Sequence, residues 1–230
     1  MIFNASNDQE IKCKGRSKCF ETLSGQEMDI LEQSKLVIHY KKGEVIAKQG
    51  ASNSDVIYLQ EGYVKLYKEY SNTRSLSLIE QKCNFIGLYG LFVETTMQYT
   101  LVALTDVVVC SFSKNLFESL MKKNNSFALE IIKKLNTKTL NTFNNLFNSS
   151  SKQMHGRLAW ALLELTQNVF MDNALKAPVT RKDLAEFTNM SVMSVGRILR
   201  EFAEEKLIEL NKDHIKILEK DKLIITCKNG

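Results

Sequence analysis

The stretch "NMSVMSVGRILREFAEEKLIEL", residues 189 to 210, holds the residue types best suited to contact with a polyanion. Ser191, Ser194 and Gly196 are small, and Arg197 and Arg200 lie about one helical turn further on. Small residues at a helix start permit close approach to phosphate, which the free N–H groups and the helix dipole attract. A guanidinium just behind them offers paired donors to a guanine edge or to the backbone. A second candidate set is thiol chemistry. Cys13 and Cys19 stand in "KCKGRSKCF", where Lys12, Lys14, Arg16 and Lys18 favour the reactive thiolate, and Cys110 stands in "VVVCSFS".

The surrounding pattern predicts elements that could position these groups. After Pro178, the sole proline, Thr180 is placed to cap a helix whose first turn carries Asp183, a favourable carboxylate at the positive end of the dipole. Leu184, Ala185, Val195 and Ile198 fall at the inward positions of a helix-turn-helix, with Ala185 small at the crossing and Asn189 suited to a left-handed turn. The second helix begins near Ser191, and "LIELNKDHIKIL" follows as a β-pair that supplies a wing.

Upstream, residues 36 to 112 hold short β-rich runs, "LVIHY", "EVIAK", "VIYLQ", "YVKLYKEY", "SLSLI", "TLVAL" and "VVVCSF", separated by turn signals such as "KKGE" and "QGASNSD". Their spacing predicts a β-roll or barrel. From residue 114 the period becomes helical: "SKNLFESLM", a polar break, then about 25 residues with Ile131, Leu135, Thr142 and Leu146 compatible with one face. A helix this long is expected to pair with its own copy, the competing arrangement being packing against its own β-domain. The polar run "NSSSKQ", residues 148 to 153, reads as a hinge before the helix "GRLAWALLELTQ".

Composition narrows the function classes. At 230 residues and 44% hydrophobic, the chain can bury a substantial core. Glu94 and Asp106 interrupt its most apolar region, and "MIFNASNDQE" lacks the basic and apolar blocks of a signal peptide. Five cysteines, an odd number, suit a reducing compartment, so a cytoplasmic protein without membrane partners is expected. The net charge of +5 is only mildly basic and does not by itself point to nucleic acid. Gly-rich phosphate loops, paired carboxylates beside a base and strong His/Cys metal spacings are all missing, so no enzyme is expected.

Taken jointly, "VTRKDLAEF", "SVMSVGRILREFAEEKLI", "GRLAWALLEL" and "KKGEVIAKQGASNSDVIYLQEGYVKLYKE", with Gly43, Gly50 and Gly62, resemble the Crp/Fnr family of transcription regulators over nearly the full length. The resemblance implies an α+β chain with an N-terminal β-roll like a cyclic-nucleotide-binding jelly roll, a long dimerisation helix and a C-terminal winged helix-turn-helix. On this chain the divisions fall as an N-terminal segment 1–22, a sensor 23–125, a dimerisation helix and hinge 126–152, and a DNA-binding domain 153–230. It also implies a homodimer on a near-palindromic site in double-stranded DNA, touching RNA polymerase if it activates. Arg197 matches the family's base-reading arginine; Thr180, Ser191 and Ser194 match phosphate-contact positions, and Arg181 and Arg200 complete the expected DNA set. Met193 stands where many members carry a glutamate able to accept from cytosine, so a different operator is expected.

The sensor also departs from the family. "FIGLYGLF", residues 85 to 92, resembles the phosphate-binding cassette, but Leu88 replaces the carboxylate for a ribose hydroxyl. Where cyclic-nucleotide binders place Arg-Ser, this chain has "TTMQYTLVAL", and no arginine occurs from 75 to 156. A buried phosphate without a cation or dense N–H donors costs several kcal/mol, which argues against cyclic AMP. Leu88, Tyr89, Gln98 and Tyr99 are the expected effector-pocket residues, and the cofactor stays unassigned. Cys110 sits where the iron–sulfur branch of the family has its distant ligand, so Cys13, Cys19 and Cys110 form a candidate metal or redox set. That branch clusters three N-terminal cysteines and only two stand here, so a fourth ligand would have to come from Cys83 or a non-cysteine group. Haem is a further option, with His39 the one histidine in the β-region. A ligand-binding module without a DNA role is the remaining alternative.

Overall fold

The computed structural model describes residues 17–70, 73–90, 92–172, 174–176, 179–211 and 214–230. Cys13 with its neighbours Lys12, Lys14 and Arg16, and Pro178, lie outside the described residues. Helices α1 (Lys18–Glu21) and α2 (Gly25–Ser34) precede eight strands, β1 (Leu36–Tyr40), β2 (Val45–Ala47), β3 (Asp55–Glu61), β4 (Tyr63–Tyr70), β5 (Thr73–Gln81), β6 (Asn84–Ile86), β7 (Thr100–Ala103) and β8 (Val107–Ser113). These form two antiparallel four-stranded sheets, in the orders β1-β8-β3-β6 and β2-β7-β4-β5. Alternate residues of β3, β4 and β8, including Leu59, Val64, Leu66 and Val109, fill the space between the sheets, as strand alternation requires. At the β3–β4 turn Gly62 adopts φ +86°, and a Cβ there would meet the Asp106 carbonyl at 2.5 Å. No other residue fits that turn without strain.

The roll leads into α3 (Lys114–Lys123) and α4 (Asn125–Ser151). Asn124 separates them, leaving α3 extended at φ −120° while its side chain accepts from the Phe127 N–H to cap α4. Helix α4 continues through most of the polar run expected to be a hinge. Asn148 and Ser151 donate to the carbonyls of Asn144 and Phe147, which satisfies these polar side chains within the helix. The break therefore narrows to Lys152 and Gln153, both extended.

The face of α4 that meets the roll differs from the expected dimer stripe. Phe127 and Ile131 are fully buried among Phe85, Phe117 and Phe20, and Leu135 packs at the edge of the same cluster. Ile131 and Leu135 are thus core residues of their own chain, a correction to the expectation that they face a second copy. Leu129, Ile132, Leu140, Phe143, Leu146 and Phe147 are exposed instead. Leu129, Ile132, Leu140 and Phe143 recur at helical spacing on the side opposite Phe127 and Ile131.

Beyond the break come α5 (Met154–Glu164), a π-turn (Leu165–Val169), β9 (Ala174–Lys176), α6 (Arg181–Thr188), α7 (Val192–Glu204), β10 (Ile208–Leu210), β11 (His214–Ile217) and α8 (Lys220–Asn229). The expected wing is present, with β9 joining it as a third strand in the order β10-β11-β9. Leu158, Leu184, Val195, Ile198, Leu199 and Phe202 form its core, with Trp160 stacked on Phe187 at 5.1 Å.

This core does not stop at the domain boundary. Tyr67, Ile79, Val102 and Leu104 of the roll belong to the same apolar cluster, and Tyr63 packs on Phe170 at 4.8 Å. Within the seam Lys65 Nζ lies 2.5 Å from Asp183 Oδ1, with side chains only 18% and 3% exposed. Burial pushes the Asp183 carboxyl up, but Lys65 and the hydroxyl and amide of Thr180 outweigh it and hold it below its ordinary value of 3.8. The stabilisation is therefore complete above pH 3.8 and lost as pH falls through the lower folded-state value. Asp183→Ala strands a buried ammonium and is expected to cost about 3–5 kcal/mol in urea unfolding at pH 7. Asp183→Asn is expected to flatten the acid limb of the stability curve; an unchanged limb would show that this carboxylate does not control it.

Candidate nucleic-acid interface

Helix α6 begins with a reciprocal cap. The Thr180 hydroxyl accepts from the Asp183 N–H at 3.1 Å, while the Asp183 carboxylate accepts from the Thr180 N–H at 2.9 Å and its hydroxyl at 2.7 Å. Asn189 ends the helix in the left-handed region at φ 52°, as the turn chemistry leads one to expect. Ser191 then caps α7 by accepting from the Ser194 N–H at 3.0 Å, the two hydroxyls lying 2.9 Å apart. Leu184, Ala185, Val195 and Ile198 are buried between the helices, so the outer face of α7 is fixed by what its inner face must cover.

That outer face lines a groove of about 570 Å³ bounded by Arg181, Ser191, Val192, Met193, Ser194, Gly196, Arg197 and Arg200. The structure thus brings together six of the residues expected to touch DNA: Arg181, Ser191, Met193, Ser194, Arg197 and Arg200. Thr180 is placed apart. It lines a different cleft, of about 430 Å³, with Lys42, Lys65, Tyr67 and Asp183, facing the roll. Its hydroxyl is already engaged by Asp183.

Two groups that sequence reasoning missed act on the arginines. Arg197 Nη1 lies 2.5 Å from Glu201 Oε1, and His155 Nε2 lies 2.8 Å from the other oxygen of the same carboxylate. Arg200 donates from Nε to the Gly196 carbonyl at 3.2 Å. The hydrogen bond from His155, opposed by desolvation and aided by Arg197, holds the Glu201 carboxyl below the usual range. Glu201 therefore stays ionised and holds one end of the Arg197 guanidinium. The i, i+4 spacing of Arg197 and Glu201 is a local signal for this pair; the contact with His155, 46 positions away, has none.

The expected effector residues only partly converge. Gln98 and Tyr99 line a cavity of about 390 Å³ with Leu66, Lys68, Leu78, Gly90, Val93, Glu94 and Thr142. Leu88 is buried in the roll core and does not line the cavity, and the side chain of Tyr89 lies outside the described residues. Lys68 supplies a cation that the arginine count overlooked, and Glu94 lines the same cavity. Tyr99 sits over the cassette backbone: a Cβ on Gly87, at φ +75°, would lie 2.0 Å from its hydroxyl. Burial pushes this phenol up to about 12, so it stays neutral.

The thiols have separate surroundings. Cys19 and Cys110 are buried in the roll core, and Cys110 Sγ donates to Gln60 Oε1 at 3.0 Å. Among the described residues no three His, Cys, Asp or Glu side chains gather as metal donors. The residues described therefore do not fit a four-ligand cluster, and His39 lies on β1. No described helix is long and apolar enough to cross a membrane.

Comparison with known proteins agrees with this geometry. Residues 37–124 match the cyclic nucleotide-binding domain family, and residues 156–224 match the Crp-like helix-turn-helix domain. The HTH-type transcriptional regulator ArcR of Staphylococcus aureus is 25% identical over 182 residues, covering 77% of each chain. Among solved structures, FixK2 from Bradyrhizobium japonicum superposes with TM-score 0.76 at 16% identity, covering 84% of this chain and 96% of that one. A transcriptional regulator of the crp/fnr family from Eubacterium rectale gives 0.73 at 19% identity, covering 91% and 97%.

If Glu201 restrains Arg197, then Glu201→Gln removes a negative charge beside the groove and frees the guanidinium. Affinity for random duplex is expected to rise while the ratio of selected to random DNA falls, as read by fluorescence anisotropy. A raised ratio would show that Glu201 opposes base reading.

Proposed function

We propose, given that this chain belongs to the Crp/Fnr family of DNA-binding transcription regulators, that it acts as a homodimer in the cytoplasm on a near-palindromic operator and responds to a signal other than cyclic AMP. The observation that carries this is the groove of α7, where a capped N-terminus, three small residues and three arginines face outward on a rigid two-helix unit. The capped start of α7 and Arg181 and Arg200 hold phosphates, while Arg197 and Met193 reach base edges. Thr180 serves by fixing the start of α6, since its hydroxyl is engaged by Asp183. The regulator touches RNA polymerase where it activates, and no catalytic role is ascribed to it.

The sensor reading follows from the cavity beneath α4. Glu94 lines it together with Lys68, and Tyr99 fills the space over Gly87. A cyclic phosphate there would meet a carboxylate and lose the open cassette backbone. Thr142 of α4 lines this cavity, so an occupant touches the same helix that carries the exposed apolar stripe.

Two experiments test the reading. Leu140 and Phe143 are 63% and 55% exposed, too apolar a pair to leave in water beside Leu129 and Ile132. Leu140→Glu with Phe143→Glu is expected to give folded monomers by light scattering; a persistent dimer would place the interface elsewhere. Leu135→Glu, by contrast, puts a charge against the roll core and is expected to unfold the chain. Arg197→Ala is expected to cost about 1–3 kcal/mol on selected DNA and little on random duplex. Equal losses on both would reduce Arg197 to a phosphate contact.

A further inference from the structure

Helix α7 buries every large apolar side chain except those of its first turn. Val195, Ile198, Leu199 and Phe202 are at most 2% exposed, whereas Val192 and Met193 are 48% and 86% exposed. Exposure of a thioether side chain gains nothing for folding. Its position, however, is the tip of the groove, between Ser191, Ser194 and the arginines. A Cβ on Gly196 would meet nothing within 4 Å, so the floor beside Met193 is open to close approach.

Methionine donates no hydrogen bond and accepts only weakly, so it cannot satisfy the oxygens, N7 atoms or amino groups of the major groove. The groove offers one apolar feature, the C5-methyl group of thymine. Met193 and Arg197 are four residues apart, hence neighbours on one helix face, so the bases they meet lie close together. Resting on the assignment of α7 as the reading helix, we propose that Met193 recognises a C5-methyl pyrimidine, a thymine, in each half-site beside the base pair read by Arg197. The flexible thioether adapts to the methyl without demanding a fixed angle.

The test uses the full chain. Duplexes selected from a randomised pool are expected to retain one thymine per half-site next to the Arg197-dependent guanine. Replacing that thymine by deoxyuridine removes only the methyl and is expected to weaken binding about fourfold, the effect of one methyl-sized group. At the same position 5-methylcytosine is expected to bind better than cytosine by a similar factor. Met193→Ala is expected to bind the thymine and uracil duplexes equally while keeping the guanine preference, with an unchanged circular dichroism spectrum because the side chain is exposed. Selective binding that ignores uracil at every thymine, or undiminished discrimination by Met193→Ala, overturns the proposal while leaving α7 as the reading helix. Recovery of no sequence preference at all overturns that assignment and this inference with it.

Discussion

One carboxylate ties the two halves of the chain together. Asp183 closes the cap of α6 through both the amide and the hydroxyl of Thr180, and the same group receives the Lys65 ammonium from the sensor roll. A carboxylate this deeply buried is tolerable only because its oxygens meet three donors. The start of the helix-turn-helix, and the angle at which it meets the roll, are therefore set by one cluster of hydrogen bonds. Loss of any donor loosens the cap and the seam together, so the seam behaves as one unit with the apolar contacts of Tyr67, Ile79, Val102 and Leu104.

Helix α4 carries the other constraint. Its inner face is part of the roll core through Phe127 and Ile131, its outer face carries an apolar stripe, and Thr142 borders the cavity lined by Gln98 and Tyr99. It ends at Lys152 and Gln153, two extended residues that join it to α5. Any change in how α4 sits on the roll is passed to α5 through a very short connection, and α5 carries His155, which holds Glu201 and through it Arg197. Contacts therefore run from α4 through α5 to Glu201 and Arg197, with the seam at Asp183 as a second, parallel tie between the roll and the helix-turn-helix.

The sequence was most legible where local chemistry decides. β-rich runs between turn signals located β1 and β4 residue for residue, Thr180 and Asp183 spelled a helix start, and Asn189 marked a left-handed turn. The three-residue strands β6 and β9 escaped because they are too short to show a period, and their pairing partners are distant. The faces of α4 were read as one because periodicity identifies apolar positions without saying which partner covers them; Ile131 and Leu135 belong to the roll, whereas Leu146 is exposed. The site was legible in composition and not in its electrostatics. Lys65 to Asp183 spans 118 positions and His155 to Glu201 spans 46, and no local pattern announces either pair.

The modest charge of the chain then takes on a definite meaning. Residues 151 to 230 hold 13 lysines and arginines against 11 acidic residues, so the field of the domain contributes little to DNA affinity. Affinity must then come from where the charges stand, and Glu201 and Asp183 place carboxylates beside α7 and at the start of α6. On the proposed reading, one such unit would depend on contact geometry more than on long-range attraction. Two units on a shared α4 stripe would join their half-site energies only when their spacing matches the operator. On the proposed reading, a small change in the seat of α4 would alter DNA occupancy by acting on the match between two half-sites, with each α7 left intact.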